Sequence, residues 1–205
     1  MQYTLNAQAA KQADNKFSKI DQSGKYVGVF TRAEKVTSKS GAQGIDFSFK
    51  SDSGEQSDYL SLLTHNKDGE ELQGYKTLMA IMSCLKLKTI DATSGEVEKY
   101  NSVSQQREKV SADLFQTLMN VRIGLLIQIK EQEYNGNIQR YTNIYAPFTE
   151  DGFTATEVLE QATKPEKLEK MLAGLKDKLL AHKPNQQTNH APSGAGAPMD
   201  DDIPF

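Results

Sequence analysis

Few side chains in this chain are placed to break or make bonds. The carboxylates cluster at Asp68-Gly69-Glu70-Glu71 and Glu131-Gln132-Glu133, and clustered acids can hold the metals of two-metal nucleases. Here the first cluster follows a strand pattern as a polar turn and the second ends one, so both predict solvated surface. His65, His182 and His190 lie far apart with no second ligand type at helical or loop spacing, and Cys84 is the sole cysteine. That excludes a thiolate-rich zinc site and internal disulfides. Cys84 sits in the apolar run Met82-Ser83-Cys84-Leu85, which predicts a buried, inert thiol. No phosphate-binding glycine loop ending in Gly-Lys-Ser or Gly-Lys-Thr occurs, nor a Gly-x-Ser-x-Gly elbow, nor a His-Glu-x-x-His helix. The sequence predicts no enzyme, no cofactor and no metal.

What remains is a chemistry of binding. Flat rings on which bases stack, each worth about 1–3 kcal/mol, and cations that track phosphates must share a surface to hold a single strand. Tyr26, Phe30 and Arg32 share parity beside Lys25, with Gly28 leaving space between the rings; Tyr141, Asn143 and Tyr145 share parity beside Arg140. The opposite arrangement, rings inward and Lys25, Val27 and Val29 outward, would expose two valines. With no Trp in the chain, stacking falls to Tyr and Phe. Lys35, Lys39 and Lys50 join Lys25 and Arg32 as candidate phosphate contacts. They belong to a local excess, since residues 1–50 hold eight Lys or Arg against four Asp or Glu. That excess predicts a basic groove around the first two strands and the loop Thr37–Gly44.

The elements that would position these residues follow from period and punctuation. Residues 1–23 form a polar extension. Period-two alternation marks a strand over Lys25–Arg32, with Gly28 at a bulge or bend, a second half-buried strand at Ile45, Phe47 and Phe49, and a third at Tyr59–Thr64. The last two form a hairpin around Asp52-Ser53-Gly54-Glu55. Leu78, Ile81, Met82 and Leu85 then follow helical spacing over about 75–87. Residues 88–120 are an insertion with short strands near Glu96–Tyr100 and Lys109–Ala112 and a helical turn around Leu114–Met119. A second hairpin joins Ile123–Ile129 to Arg140–Tyr145 through Asn135-Gly136-Asn137. Strand, strand, strand, helix, strand, strand is the order of a five-stranded, partly open oligonucleotide-binding (OB) barrel. The predicted fold is therefore mainly β, α+β overall, with the barrel over 24–150. A helical appendage over 151–182 starts with capping boxes at Thr154-x-x-Glu157 and Thr163-x-x-Glu166 and carries the apolar stripe Leu168, Met171, Leu172, Leu175 and Leu179.

The chain carries 24 Lys plus Arg and 27 Asp plus Glu, a net charge of −3. All of the deficit lies at the end. Residues 183–198 are a Pro-, Gln-, Ser- and Gly-rich linker with almost nothing to bury, and residues 199–205 close on Asp200, Asp201, Asp202, Ile203, Pro204 and Phe205. An apolar anchor with a terminal carboxylate and three aspartates suits capture by a basic pocket on another protein. No run is long and apolar enough to span a membrane, and the N-terminus lacks a secretion signal, so neither a membrane nor export is expected.

Asp200–Phe205 behind this linker resembles the acidic tip of bacterial single-stranded DNA-binding proteins. The body, including Gly24-Lys25-Tyr26-Val27-Gly28-Val29-Phe30-Thr31-Arg32-Ala33-Glu34 and Asn66-Lys67-Asp68-Gly69-Glu70-Glu71-Leu72, resembles phage- or prophage-encoded proteins of that class. The resemblance implies an OB barrel that sequesters single-stranded DNA in the cytoplasm of a bacterial host, in some members as a homo-oligomer. It also implies a tip that recruits DNA replication, recombination and repair proteins. Two other roles share these features: a strand-annealing recombination protein, and an adaptor that sequesters the host enzymes that bind such tips.

Overall fold

The computed structural model describes residues 18–101, 106–134 and 137–180. Linker, tip, the first 17 residues and the Asn135-Gly136 turn lie outside them. The protein is mainly β: among the described residues, seven strands form one antiparallel sheet. They are β1 (Gly24–Thr37), β2 (Gln43–Ser51), β3 (Gln56–His65), β4 (Thr93–Asn101), β5 (Gln106–Leu114), β6 (Arg122–Tyr134) and β7 (Asn137–Phe148). Helix α1 (Gln73–Cys84) follows β3, a single 3-10 turn (Gln116–Leu118) follows β5, and the short helices α2 (Ala155–Leu159) and α3 (Lys167–Gly174) follow β7. No helix among the described residues is long and apolar enough to cross a membrane.

Strand β1 organises the sheet because two strands divide it. Its first half, Gly24–Val29, pairs with β6, and its second half, Gly28–Thr37, pairs with β2. The two ladders overlap at Gly28 and Val29. There β2 comes so close that a Cβ on Gly28 would lie 2.1 Å from the Lys50 carbonyl oxygen. The space expected at Gly28 is thus filled by backbone, and the register shift of β1 falls between Phe30 and Arg32 instead.

Inward residues follow the period-two pattern. Phe30, Phe47, Phe49, Leu60, Ile123, Leu125 and Ile127 are buried with Ile81 and Met82 of α1, and the Phe30 ring lies 4.4 Å from Phe47 and 5.8 Å from Phe49, centroid to centroid. β2 departs from the half-buried expectation, since Asp46 and Ser48 on its other face are also covered. Cys84 is buried, which pushes its thiol up to about 12. The insertion contains two strands where short ones are expected, both longer than that, and they pair as the β4–β5 hairpin, attached to β1 by the pair Glu34 and Leu114.

The expected order of five strands and a helix is present in β1, β2, β3, α1, β6 and β7, but the sheet does not close into a barrel. No backbone ladder joins β3 to β7 among the described residues. Ser57 and Thr142 hydroxyls hydrogen-bond across the seam. The segment 18–20 lies beside it: the Ile20 amide donates to the Gln56 carbonyl (2.9 Å), the Gln56 amide donates to the Ser18 carbonyl (2.8 Å), and Ile20 is 1% exposed.

The first capping box forms at Thr154 and Glu157. The second does not. Glu157 instead accepts from the amides of Glu166 (2.7 Å) and Lys167 (2.9 Å), so one carboxylate caps both α2 and α3. Burial pushes this carboxyl up, and the hydrogen bonds from the Thr154, Glu166 and Lys167 amides and the Thr154 hydroxyl outweigh it, leaving a pKa of about 2. Leu168, Met171, Leu172 and Leu175 pack on Leu126 and Phe148, so the stripe covers the sheet. Leu179 lies beyond the end of α3 and is half exposed.

Candidate nucleic-acid interface

The outer face of β1, β2 and β3 carries a charged cluster. Because of the shift after Phe30, Arg32 stands opposite Ser48 and turns outward. Its Nη2 donates to Asp46 Oδ2 (2.6 Å) and its Nη1 to Glu34 Oε2 (3.4 Å). From the β4–β5 hairpin, Lys99 Nζ reaches Glu34 Oε1 (2.5 Å), while Ser61 Oγ donates to Asp46 Oδ1 (2.5 Å). Arg32, Glu34 and Asp46 side chains are only 13%, 9% and 9% exposed, so their charges stay paired in a low-dielectric setting. The Arg32 Nε is buried without a hydrogen-bond partner.

Above this cluster lies an exposed ring. Tyr59 is 71% exposed, and its backbone has φ of +60°, a left-handed conformation that costs a bulky residue about 1–2 kcal/mol. It occurs where β3 skips register, with Phe49 paired to Ser57 and Phe47 to Leu60. Arg32 Cζ sits 5.4 Å from the ring centroid, a cation–π contact. Ring and guanidinium line a groove of about 670 Å³ together with Thr31 and Ser48 of the sheet, Lys99 of the β4–β5 hairpin and Met119. Asp58, Glu96 and Glu98 share its rim.

The expected site residues are distributed over several surfaces. Phe30 is corrected outright: it is fully buried against Phe47 and Phe49 and offers no ring to a base. The inward parity holds at Phe30 because α3 and its flanking segment cover Val27 from the other side, which removes the cost of an outward valine. Tyr26 is half-buried against the core and its hydroxyl donates to the Gln22 carbonyl (2.9 Å). Lys25 pairs with Glu169 of α3 (3.2 Å). Lys35, Lys39 and Lys50 are exposed and make no ion pair among the described residues, and Lys35 lines a separate depression with Thr37, Ser111 and Asp113. Arg140 pairs with Glu131 (3.0 Å), and Tyr141 and Tyr145 are 42% and 44% exposed on β7. The described cations of the first fifty residues therefore do not share one groove. Among them only Arg32 lines the Tyr59 groove. Residues 200–205 lie outside the described part.

Tyr59, Lys99 and Met119 were not singled out by period and charge. A signal for Tyr59 was present: it is an aromatic residue that shares parity with Ser57 and Ser61 and alternates with buried Leu60 and Leu62. Lys99 and Met119 reach the groove only through the fold of the insertion.

No protein-family model and no curated protein matches this sequence. Among the described residues, no group of three His, Cys, Asp or Glu side chains is placed to hold a metal ion. The arrangement of ring, guanidinium and hydroxyls is suited to stacking and hydrogen bonding on a planar ligand, with the rim carboxylates able to accept from amino groups on its edge.

Proposed function

We propose that this protein is a non-enzymatic single-stranded DNA-binding protein of phage type. The observation that carries the reading is Tyr59, an exposed ring held at a conformational cost beside Arg32 in an open groove on the face of β2 and β3. In this reading β1, β2, β3, α1, β6 and β7 are an OB barrel left open between β3 and β7, with β4–β5 inserted as an arm over its binding face, the face through which such barrels hold oligonucleotides. Bases stack on Tyr59, Asp58 and Glu98 accept from exocyclic amino groups, and Lys99 supplies phosphate contacts together with Lys35, Lys39 and Lys50, which make no ion pair among the described residues. The terminal Asp200–Phe205 recruits replication, recombination and repair proteins in the bacterial host. Binding is stoichiometric and leaves the strand intact.

Offered equal amounts of single- and double-stranded oligonucleotide, the protein is expected to retard the single strand in a gel and to release it at full length. Equal retardation of both, or a shortened strand, would count against the proposal.

A further inference from the structure

A second surface stands apart from the groove, on the half of the β6–β7 hairpin nearer its turn. Tyr141 of β7 pairs directly with Lys130 of β6. On the other edge of β6, beyond the reach of β1, the segment after α3 forms a parallel bridge. There the Lys178 amide donates to the Ile129 carbonyl (2.9 Å), and the Glu131 amide donates to the Lys178 carbonyl (2.9 Å), which sets Lys178 beside Lys130. Directly paired residues on adjacent strands point their side chains to the same face, about 5 Å apart. Tyr141, Lys130 and Lys178 therefore stand in one row across three strands.

The surroundings favour an anion. The flanking pairs on this face are Gln128 with Asn143 and Gln132 with Gln139, all uncharged. Two carboxylates adjoin the lysines in sequence, Glu131 next to Lys130 and Asp177 next to Lys178, each one position off the row; Glu131 is held by Arg140 and the Leu180 amide (3.1 Å). Neither Lys130 nor Lys178 makes an ion pair among the described residues. Gln128 Nε2 donates to the Lys176 carbonyl (2.7 Å), which fixes the bridging segment. Burial and then the charge of Lys178 push the Lys130 ammonium down, as expected of two cations held together without a counter-charge.

We infer that Lys130, Lys178 and Tyr141 form a second contact site for single-stranded nucleic acid, in which the two ammonium groups hold a phosphodiester and the Tyr141 ring stacks on an adjoining base. The inference rests on the single-strand-binding reading above. It gives the segment after α3 a role in binding, because the fold places Lys178 there through two backbone hydrogen bonds.

The test uses the full chain and a dT oligonucleotide, with affinity measured over a series of salt concentrations. Each phosphate contact on a single strand contributes about 0.7 to the slope of log K against log salt. Lys130→Gln with Lys178→Gln is expected to shrink the slope by about 0.7, and Lys178→Gln alone, at an exposed position, by less than that. Tyr141→Ala is expected to weaken binding at every salt concentration with the slope unchanged, and Tyr141→Phe to bind like the wild type. If the wild type binds with a salt-dependent affinity and the double lysine variant keeps both affinity and slope, this proposal is overturned and the groove reading stands. A gain of affinity in that variant would assign the lysines to the chain's own acidic end and would also overturn it. A wild type without salt-dependent binding overturns both.

Discussion

Gly28→Ala is expected to lower the melting temperature by about 6–12 °C, and Gly28→Val to leave no stably folded protein. The added Cβ would meet three backbone atoms of β2: the Lys50 carbonyl oxygen at 2.1 Å, the Ser51 Cα at 2.7 Å and the Lys50 carbonyl carbon at 2.8 Å. None of these is a side-chain end that can rotate away. Nor can β1 step aside, because at the same residue it is paired with β6 through Ile123. Relief requires breaking one of the two ladders. We place the cost for alanine at about 3 kcal/mol, the upper end of what overpacking a core costs, and about 1 kcal/mol moves the melting point of a chain this size by 2–4 °C. Valine adds two methyl groups in the same gap, against a total stability of about 5–15 kcal/mol. A Gly28→Ala protein melting within a degree or two of the wild type would show that β2 and β6 do not both pair with β1 there.

Tyr59→Ala is expected to weaken single-strand binding about 5- to 150-fold without loss of stability. The range is the 1–3 kcal/mol that a base–aromatic stack contributes, at tenfold per 1.4 kcal/mol. Stability holds because the ring is 71% exposed and buries little. Tyr59→Gly separates the two quantities further. Glycine adopts the left-handed backbone of this position without penalty, so the melting temperature is expected to hold or rise while binding falls as in Tyr59→Ala. Phe30→Ala behaves in the reverse way: it empties a site between Phe47 and Phe49 and is expected to cost about 3–5 kcal/mol of stability. Equal binding by wild type and Tyr59→Gly in oligonucleotide titrations would remove Tyr59 from the interface.

The elements were legible where one physical signal dominates. Ile45, Phe47 and Phe49 alternate because one face of β2 meets the core, and Leu78, Ile81 and Met82 recur at helical spacing because α1 buries one side. The surface of the site was less legible, since it depends on pairs distant in sequence. Arg32 counts as a free cation in a local charge sum, yet it is tied to Asp46, and Lys25 is tied to Glu169, 144 positions away. Sequence parity does not decide the face of β1, because the cover over Val27 comes from α3. Closure of the sheet was beyond sequence order as well, for residues 18–20 carry no strand pattern and still occupy the side of β3 at Gln56. Lys178 illustrates the same limit: a single bridge in an otherwise irregular segment leaves no periodicity to detect.

The central claim is that a ring-and-cation surface on this sheet holds single-stranded DNA. Its most direct test is to follow intrinsic tyrosine fluorescence while poly(dT) is added at several salt concentrations. With no Trp in the chain, the signal comes from tyrosines such as Tyr59 and Tyr141. Saturable quenching is expected, with log affinity falling linearly as log salt rises. Fluorescence that does not change on adding poly(dT), or an affinity indifferent to salt, would contradict it.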